Sequence, residues 1–469
     1  MEFDHNLSDA ELLEMGRALN TKHVFFDRKV KQRNVPNDEK FDSSTYLSLL
    51  EIPKVWDLTT GGKMFDGQDI VAVVMDEGIE IHHPDLSKNI FVNRGEIPGD
   101  FIDNDGNGFI DDVSGFNART NLSNHFSHKH GTWVSGILGA VGNNKIGVSG
   151  INWNIKILPI TAVGTVSTVI KAYDYALRMK KLYLQSNGAL GANIVVTNYS
   201  GGLENAFGSD PEYKPWCDMF DLLGAQGILS VGATTNRGYD VDSLGDMPST
   251  CTSEFLITVT STNDKGLFTR SAGFGIENVD LGAPGENVFN LKDGGSYFSD
   301  IGTSASTPMV AGTIALMYAV PCQSFVDLVK ADMVQASRFV RDAVFDGVVK
   351  TKSLESRTKY GGYLNAYNTL LQMQEACGGT LPLGAAKLSI DRVFMNGNNL
   401  EISFNTTKIG NYAVALYDAA GKKLRFEKLN VLEGGDNLYM VKDLQLPQGV
   451  YFVNLVAENS SVSSAFYAR

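Results

Sequence analysis

At 469 residues, with 43% hydrophobic residues and 48 glycines, the chain is long enough for one large domain with a full core and a smaller companion. Its 40 basic against 53 acidic residues leave a formal charge of -13, which argues against nucleic acid or anionic membranes as partners held by bulk charge. No apolar run approaches the roughly 20 residues of a membrane span, and the start M-E-F-D-H-N lacks the layout of a signal peptide, so export would require a leader already removed.

In chain order, residues 1–44 form a weak N-terminal unit. A helix is predicted from Ser8 to Leu19, with Ser8 as cap and Glu11 completing a capping box. Residues 45–379 alternate between two periodicities. Short β-branched runs at Ile70 to Val74, Ile155 to Ile160, Ile194 to Asn198, Ile228 to Val231 and Phe255 to Val259 read as buried strands. Segments of helical spacing lie between them, at Ser167 to Leu184 and Tyr213 to Leu223. The expectation is an α/β domain: a parallel sheet with helices on both faces and its site at the carboxyl ends of the strands. Past the linker G-G-T-L-P-L-G-A-A, residues 384–469 change to short alternating segments such as Leu400 to Phe404, Tyr412 to Tyr417 and Val450 to Val456. These predict a small all-β sandwich.

Cys217, Cys251, Cys322 and Cys377 are an even set in two clusters. The simplest pairing, Cys217 to Cys251 and Cys322 to Cys377, fits an oxidising compartment, against the alternative of four buried thiols.

Two stretches compete for metal. His125, His128 and His130 make H-x-x-H-x-H, zinc-like in isolation, but the G-T-W-V-S-G that follows points to a catalytic His130 instead. In D-N-D-G-N-G-F-I-D-D, Asp103, Asp105, Asn107 and Asp111 stand at EF-hand-like alternate positions with Gly108 at the turn. Structural calcium is expected there; the alternative is a loop closed by its own turns. No cofactor is expected to be needed for catalysis.

Three motifs carry the chemistry: M-D-E-G-I-E around Asp76, H-G-T-W-V-S-G from His130, and G-T-S-A-S-T-P-M-V-A-G around Ser304. Acid, base and hydroxyl nucleophile in this chain order, each among small residues, resemble the subtilisin-like serine proteases. The resemblance covers about residues 45 to 345 and includes L-G-A-P-G-E at 281 to 286. It implies an endopeptidase acting on protein or peptide substrates through an acyl-enzyme, with Ser304 as nucleophile, His130 as general base and acid, and Asp76 orienting the imidazole. The Ser304 backbone N–H and the Asn236 side chain would form the oxyanion hole. Ser200, Gly201 and Gly202 would offer an edge for an extended peptide, and Asp246 would either lie near the base of the P1 pocket, implying a preference for Lys or Arg, or be a plain surface carboxylate. Asp85 matches a residue that often ligates calcium in the family.

Three departures stand out. Glu77 replaces the usual Ser or Thr after the acid, Thr235 the usual Gly before the asparagine, and Met309 a His that often follows the Pro. Glu77 should point away from Asp76 by alternation. Pro308 is expected in the first turn of a helix opened by Ser304, where its missing N–H costs little. A second reading keeps the fold as an inactive, secreted binding module. The C-terminal segment, through V-A-L-Y-D-A-A-G-K-K-L and L-P-Q-G-V-Y-F-V-N-L, resembles the sorting domains of secreted Bacteroidetes proteins. That implies a secretion machinery as partner and a secreted or cell-surface location.

Overall fold

The computed structural model describes residues 35–377, 389–406, 410–419, 421–431, 435–457 and 460–468. The helix expected at Ser8 to Leu19 and the linker after Cys377 lie outside the described residues. The chain divides into two compact units, one of residues up to 320 with 325–373, the other of 321–324 with 374–469.

The first unit is built on a sheet of nine strands. In chain order these are β1 (Val71–Met75), β2 (Phe116–Asn117), β3 (Lys156–Thr161), β4 (Ile194–Tyr199), β6 (Leu229–Ala233), β8 (Leu256–Thr262), β9 (Leu281–Pro284), β12 (Val349–Lys350) and β13 (Gly362–Tyr363). Strands β5 (Leu203–Glu204) and β7 (Asp246–Met247) pair separately, as do β10 (Val288–Lys292) and β11 (Ser296–Asp300). The large sheet runs β12-β13-β9-β8-β6-β4-β1-β3-β2, every pairing parallel except β12 with β13. Its central strands β1, β4 and β6 are buried along their whole length, as a sheet covered on both faces requires.

Four helices matter for the site: α1 (Lys129–Gly139), α2 (Val166–Gln185), α3 (Lys214–Gly224) and α4 (Thr303–Tyr318). Helix α2 begins at a capping box, with the Thr165 side chain accepting from the Thr168 amide and the Thr168 side chain reaching back to the cap. Helix α4 is buried on every side. Its Gly312 and small neighbours pack against α1, which is why so apolar a run is helical without being amphipathic. Among the described residues no single helix is long and apolar enough to cross a membrane.

The second unit contains a three-stranded sheet, β14 (Ser389–Asn396), β15 (Asn399–Thr406) and β18 (Gly435–Val441), and a four-stranded one, β16 (Gly410–Asp418), β17 (Lys423–Val431), β19 (Gly449–Ala457) and β20 (Ser460–Ala468). All pairings are antiparallel. Alternate residues including Leu400, Ile402, Phe404, Val414, Leu416, Val453 and Leu455 form one core between them. Both expected disulfides are present, Cys217–Cys251 and Cys322–Cys377. They close loops of 34 and 55 residues, each stabilising by about 4 kcal/mol in the chain-entropy account.

Candidate active site

Asp76 is the first residue after β1, so the parallel sheet delivers its carboxylate to the carboxyl ends of the strands. Its amide donates to the Ile160 carbonyl and its carbonyl accepts from Val163 across the neighbouring strand end. The carboxylate is 4% exposed and accepts from the Glu77 amide at 2.8 Å. His130 sits in the first turn of α1, with Nδ1 2.9 and 3.0 Å from the two Asp76 oxygens. An ionised carboxylate only accepts, so Nδ1 carries the proton and Nε2 of the neutral ring is the free lone pair. Gly131 is what lets the helix come this close: a Cβ there would lie 2.2 Å from the Gly78 carbonyl oxygen and 2.8 Å from Asp76 Cβ.

The His130 pKa is the balance of opposing effects. Burial pulls it down; the charge and hydrogen bond of Asp76, then the carboxylates of Glu77 and Asp300, outweigh that and raise it above the ordinary value. Glu77 itself points away from Asp76, its carboxylate 3.5 Å from His128 Nε2.

Ser304 is the second residue of α4, 8% exposed. The helix is entered through Gly302, where only glycine suits the φ of +150° and the close approach to Asn236, whose Oδ1 would stand 3.3 Å from a Cβ at this position. Ser304 Oγ donates to the Ser200 carbonyl at 3.2 Å. In turn, the Ser200 hydroxyl donates to the Ser304 carbonyl at 3.0 Å. Pro308 is not in the first turn, as expected from sequence, but is the sixth residue of α4.

Asn236 follows β6 by three residues. Its Oδ1 accepts from the Thr303 amide at 3.0 Å and the Thr303 hydroxyl at 3.3 Å. Those donors fix which way the amide faces and leave Nδ2 for the cleft, beside the N-terminus of α4. Thr235, in place of glycine, is tied down: its amide donates to Asp246 and its hydroxyl to Glu204. Glu204 also binds Arg237 Nε at 3.1 Å.

Asp246 is not a surface residue. It lies in β7 directly opposite Glu204 of β5, 1% exposed, accepting from Ser249 Oγ at 2.6 Å. Burial pushes its pKa up to about 7. It stands behind the Ser200–Gly201–Gly202 segment, with its Oδ1 3.7 Å from where a Cβ on Gly202 would be.

The metal expectations fare differently. His125 is half-buried with Nδ1 2.9 Å from Thr161 Oγ1, its pKa pulled down to about 4 by desolvation, while His128 faces Glu77. The three histidines therefore do not converge. Nor do Asp103, Asp105, Asn107 and Asp111 form the expected ligand set. Asp103 accepts from the amides of Gly106, Asn107 and Gly108, and Asp111 from those of Gly99 and Phe101. Both carboxylates thus cap turns of the loop. Only Asp105 of the four joins a cluster, with Glu96 and Asp112, their oxygens all within 4.8 Å and all three residues buried. Asn107 donates to both Asp105 and Asp112. Burial, then the neighbouring Asp105 charge, holds the Asp112 pKa up at about 6 against opposing hydrogen bonds. Sequence reasoning misses Glu96 and Asp112 as partners: Asp112 lies inside the motif, whereas Glu96 comes from a turn before it. Asp85 is fully buried, with oxygens accepting from Asn144 Nδ2 and the Val148 amide, and burial pushes it to about 7.

A parallel α/β sheet whose strand ends carry a buried carboxylate, an imidazole oriented by it, and a serine at a helix N-terminus defines the class of folds built for nucleophilic hydrolysis. The particular family follows from comparison: the subtilase family matches residues 67–356, more than half of the chain, and the chain belongs to it. A secretion system C-terminal sorting domain matches residues 396–467.

Among curated relatives, Subtilisin-like protease 1 of Plasmodium berghei is 29% identical over 358 residues, covering 71% of this chain and 54% of that protein. An extracellular protease of Xanthomonas campestris is 28% identical over 346 residues, covering 68% and 56%. The chain thus spans about half the length of these relatives. Two solved structures share the fold: a protease from Pseudoalteromonas arctica, with TM-score 0.51 and 23% identity over 72% of this chain and 99% of that one, and the epidermin leader peptide processing serine protease of Staphylococcus aureus, with TM-score 0.52 and 18% identity over 78% and 90%.

Proposed function

We propose that the chain is a serine endopeptidase, a reading carried by the pair of short hydrogen bonds from His130 to Asp76, together with a serine at the start of α4. In this mechanism the Ser304 hydroxyl, which donates to the Ser200 carbonyl at rest, turns to His130 Nε2. Oγ attacks the scissile carbonyl as its proton passes to Nε2, and the imidazolium is stabilised by Asp76. Negative charge on the former carbonyl oxygen meets Asn236 Nδ2 and the Ser304 N–H, both at the positive end of α4. The proton on Nε2 then goes to the leaving amine, and water repeats the sequence on the acyl-enzyme.

Ser200, Gly201 and Gly202 pair with an extended peptide as an added strand. Asp246 and Glu204 behind them favour Lys or Arg at P1. Glu96, Asp105 and Asp112 supply three hard oxygens of the kind calcium takes, and would hold it as a structural ion whose charge relieves their mutual repulsion. The C-terminal unit directs the protein outward to the cell surface or medium through a secretion machinery. Deletion after residue 380 should then abolish export; unchanged export would count against that role.

The test of the peptidase reading is hydrolysis of an unfolded protein by the wild type, Ser304→Ala and His130→Ala. Cleavage by the first alone is expected; equal cleavage by Ser304→Ala would assign the activity elsewhere, and no cleavage by folded wild type would favour the inactive binding module.

A further inference from the structure

Pro308 sits one helical step, four residues, after Ser304, and proline has no N–H to give to the carbonyl of residue i−4. The Ser304 carbonyl is therefore the acceptor that α4 cannot satisfy from within. It is not left orphaned: Ser200 Oγ donates to it at 3.0 Å. A carbonyl only accepts, so the Ser200 hydroxyl hydrogen is committed there and its lone pairs face elsewhere. Asn198 Nδ2 donates to one of them at 3.1 Å. The result is a directed relay, Asn198 N–H to Ser200 O–H to Ser304 C=O.

Its direction is maintained at a cost. Asn198 is fully buried and its Oδ1 has no hydrogen-bond partner. Turning the amide over would offer Oδ1 to the Ser200 hydroxyl and draw its proton off the Ser304 carbonyl. A buried acceptor left unmet costs free energy, and such a cost is retained where something else depends on the arrangement.

We propose that Ser200, oriented by Asn198, is a positioning residue for the nucleophile: its hydroxyl replaces the hydrogen bond that Pro308 withholds and so fixes the backbone of Ser304. The proposal rests on Ser304 being the nucleophile, and it is distinct from the use of the Ser200 backbone as a substrate edge. A first turn left loose at Ser304 lets the attacking oxygen and the Ser304 N–H wander from their geometry, which lowers the rate of the chemical step without weakening binding.

The test is a double-mutant cycle between Ser200→Ala and Pro308→Ala, read as kcat, KM and the rate of fluorophosphonate labelling, with circular dichroism reporting the fold. Ser200→Ala should lose roughly tenfold in kcat with KM changed by less than about twofold, and Ser200→Thr, which keeps the hydroxyl, should recover most of the loss. Alanine at 308 restores an N–H facing the Ser304 carbonyl, so the double variant should come back to within about threefold of Pro308→Ala alone. Asn198→Ala, a smaller disturbance, should show a weaker loss rescued in the same way and serves if Ser200→Ala fails to fold. Additive losses in the cycle, or a Ser200→Ala variant with raised KM and unchanged kcat, would overturn the proposal while leaving the nucleophile in place. A folded wild type that takes no label removes the nucleophile assignment and this inference with it.

Discussion

Replacing Asn236 by alanine isolates one contribution to the proposed chemistry. The Thr303 amide and hydroxyl hold Asn236 Oδ1, so the Nδ2 group is aimed before substrate arrives and requires no reorganisation as charge develops. A preorganised side-chain donor of this type contributes about 2.7–4 kcal/mol, a range set on subtilisin itself, equivalent to a roughly 10²- to 10³-fold loss of kcat. The oxygen gains most of its charge only in the transition state, so KM should hardly move. Thr303→Val is the graded comparison. It removes the hydroxyl bonds to Asn236 and to the Thr234 carbonyl but keeps the backbone N–H on Oδ1, and should cost only about tenfold or less. Steady-state kinetics on a chromogenic peptide amide gives both numbers. If Asn236→Ala loses less than about tenfold in kcat, or loses through KM, the side chain is not an oxyanion donor.

Three further outcomes follow from titrating groups. In the proposed mechanism His130 must be neutral to accept the serine proton, and its pKa is held above 6.5, so kcat/KM should fall as pH drops through a value above the ordinary histidine range. Glu77→Gln, which removes one of the carboxylates raising it, should move that limb to lower pH; an unmoved limb would exclude Glu77 from the field at His130. With its pKa near 7, Asp246 gains charge as pH rises, so the kcat/KM ratio of P1 Lys to P1 Ala peptides should grow between about pH 6 and about pH 8 and stay flat in Asp246→Asn; a flat wild-type ratio would remove Asp246 from P1 selection. Chelation should lower Tm by about 4 °C if calcium is present at about a hundred times its Kd. The folded Asp112 pKa, about 6, lies above its ordinary 3.8. Its contribution to stability is therefore fully present below about pH 4 and lost as pH rises through about 6. The chelated protein should melt higher at about pH 5 than at about pH 8, and calcium should narrow that gap; a Tm indifferent to chelation would exclude the ion.

The sheet was legible because β1, β4 and β6 are buried throughout, so each falls in a short run of mostly apolar residues without polar alternation. Helix α1 was not, since H-G-T-W-V-S-G is rich in glycine and β-branched residues; packing against α4 and β10, with nine of its residues buried, outweighs its weak propensity. The positions of Asp76 just past β1 and of Ser304 at the start of α4 followed from motif and periodicity together, whereas the helix that carries His130 did not show. What escaped depends on which groups meet in three dimensions. The metal motif has EF-hand spacing, yet its backbone amides claim Asp103 and Asp111, and the remaining carboxylate meets Glu96 from another turn. The burial of Asp246 was not legible because the pairing of β5 with β7, two residues each, is too short to signal itself. Pro308 has a visible cost only when the helix start is fixed at Thr303.

The most direct test of the central claim is the reaction of the folded protein with a fluorophosphonate, followed by mass mapping of the adduct. One adduct per chain on Ser304, absent in Ser304→Ala and strongly slowed in His130→Ala, is the predicted result. No adduct, or an adduct on Ser304 that forms equally fast without His130, would contradict it.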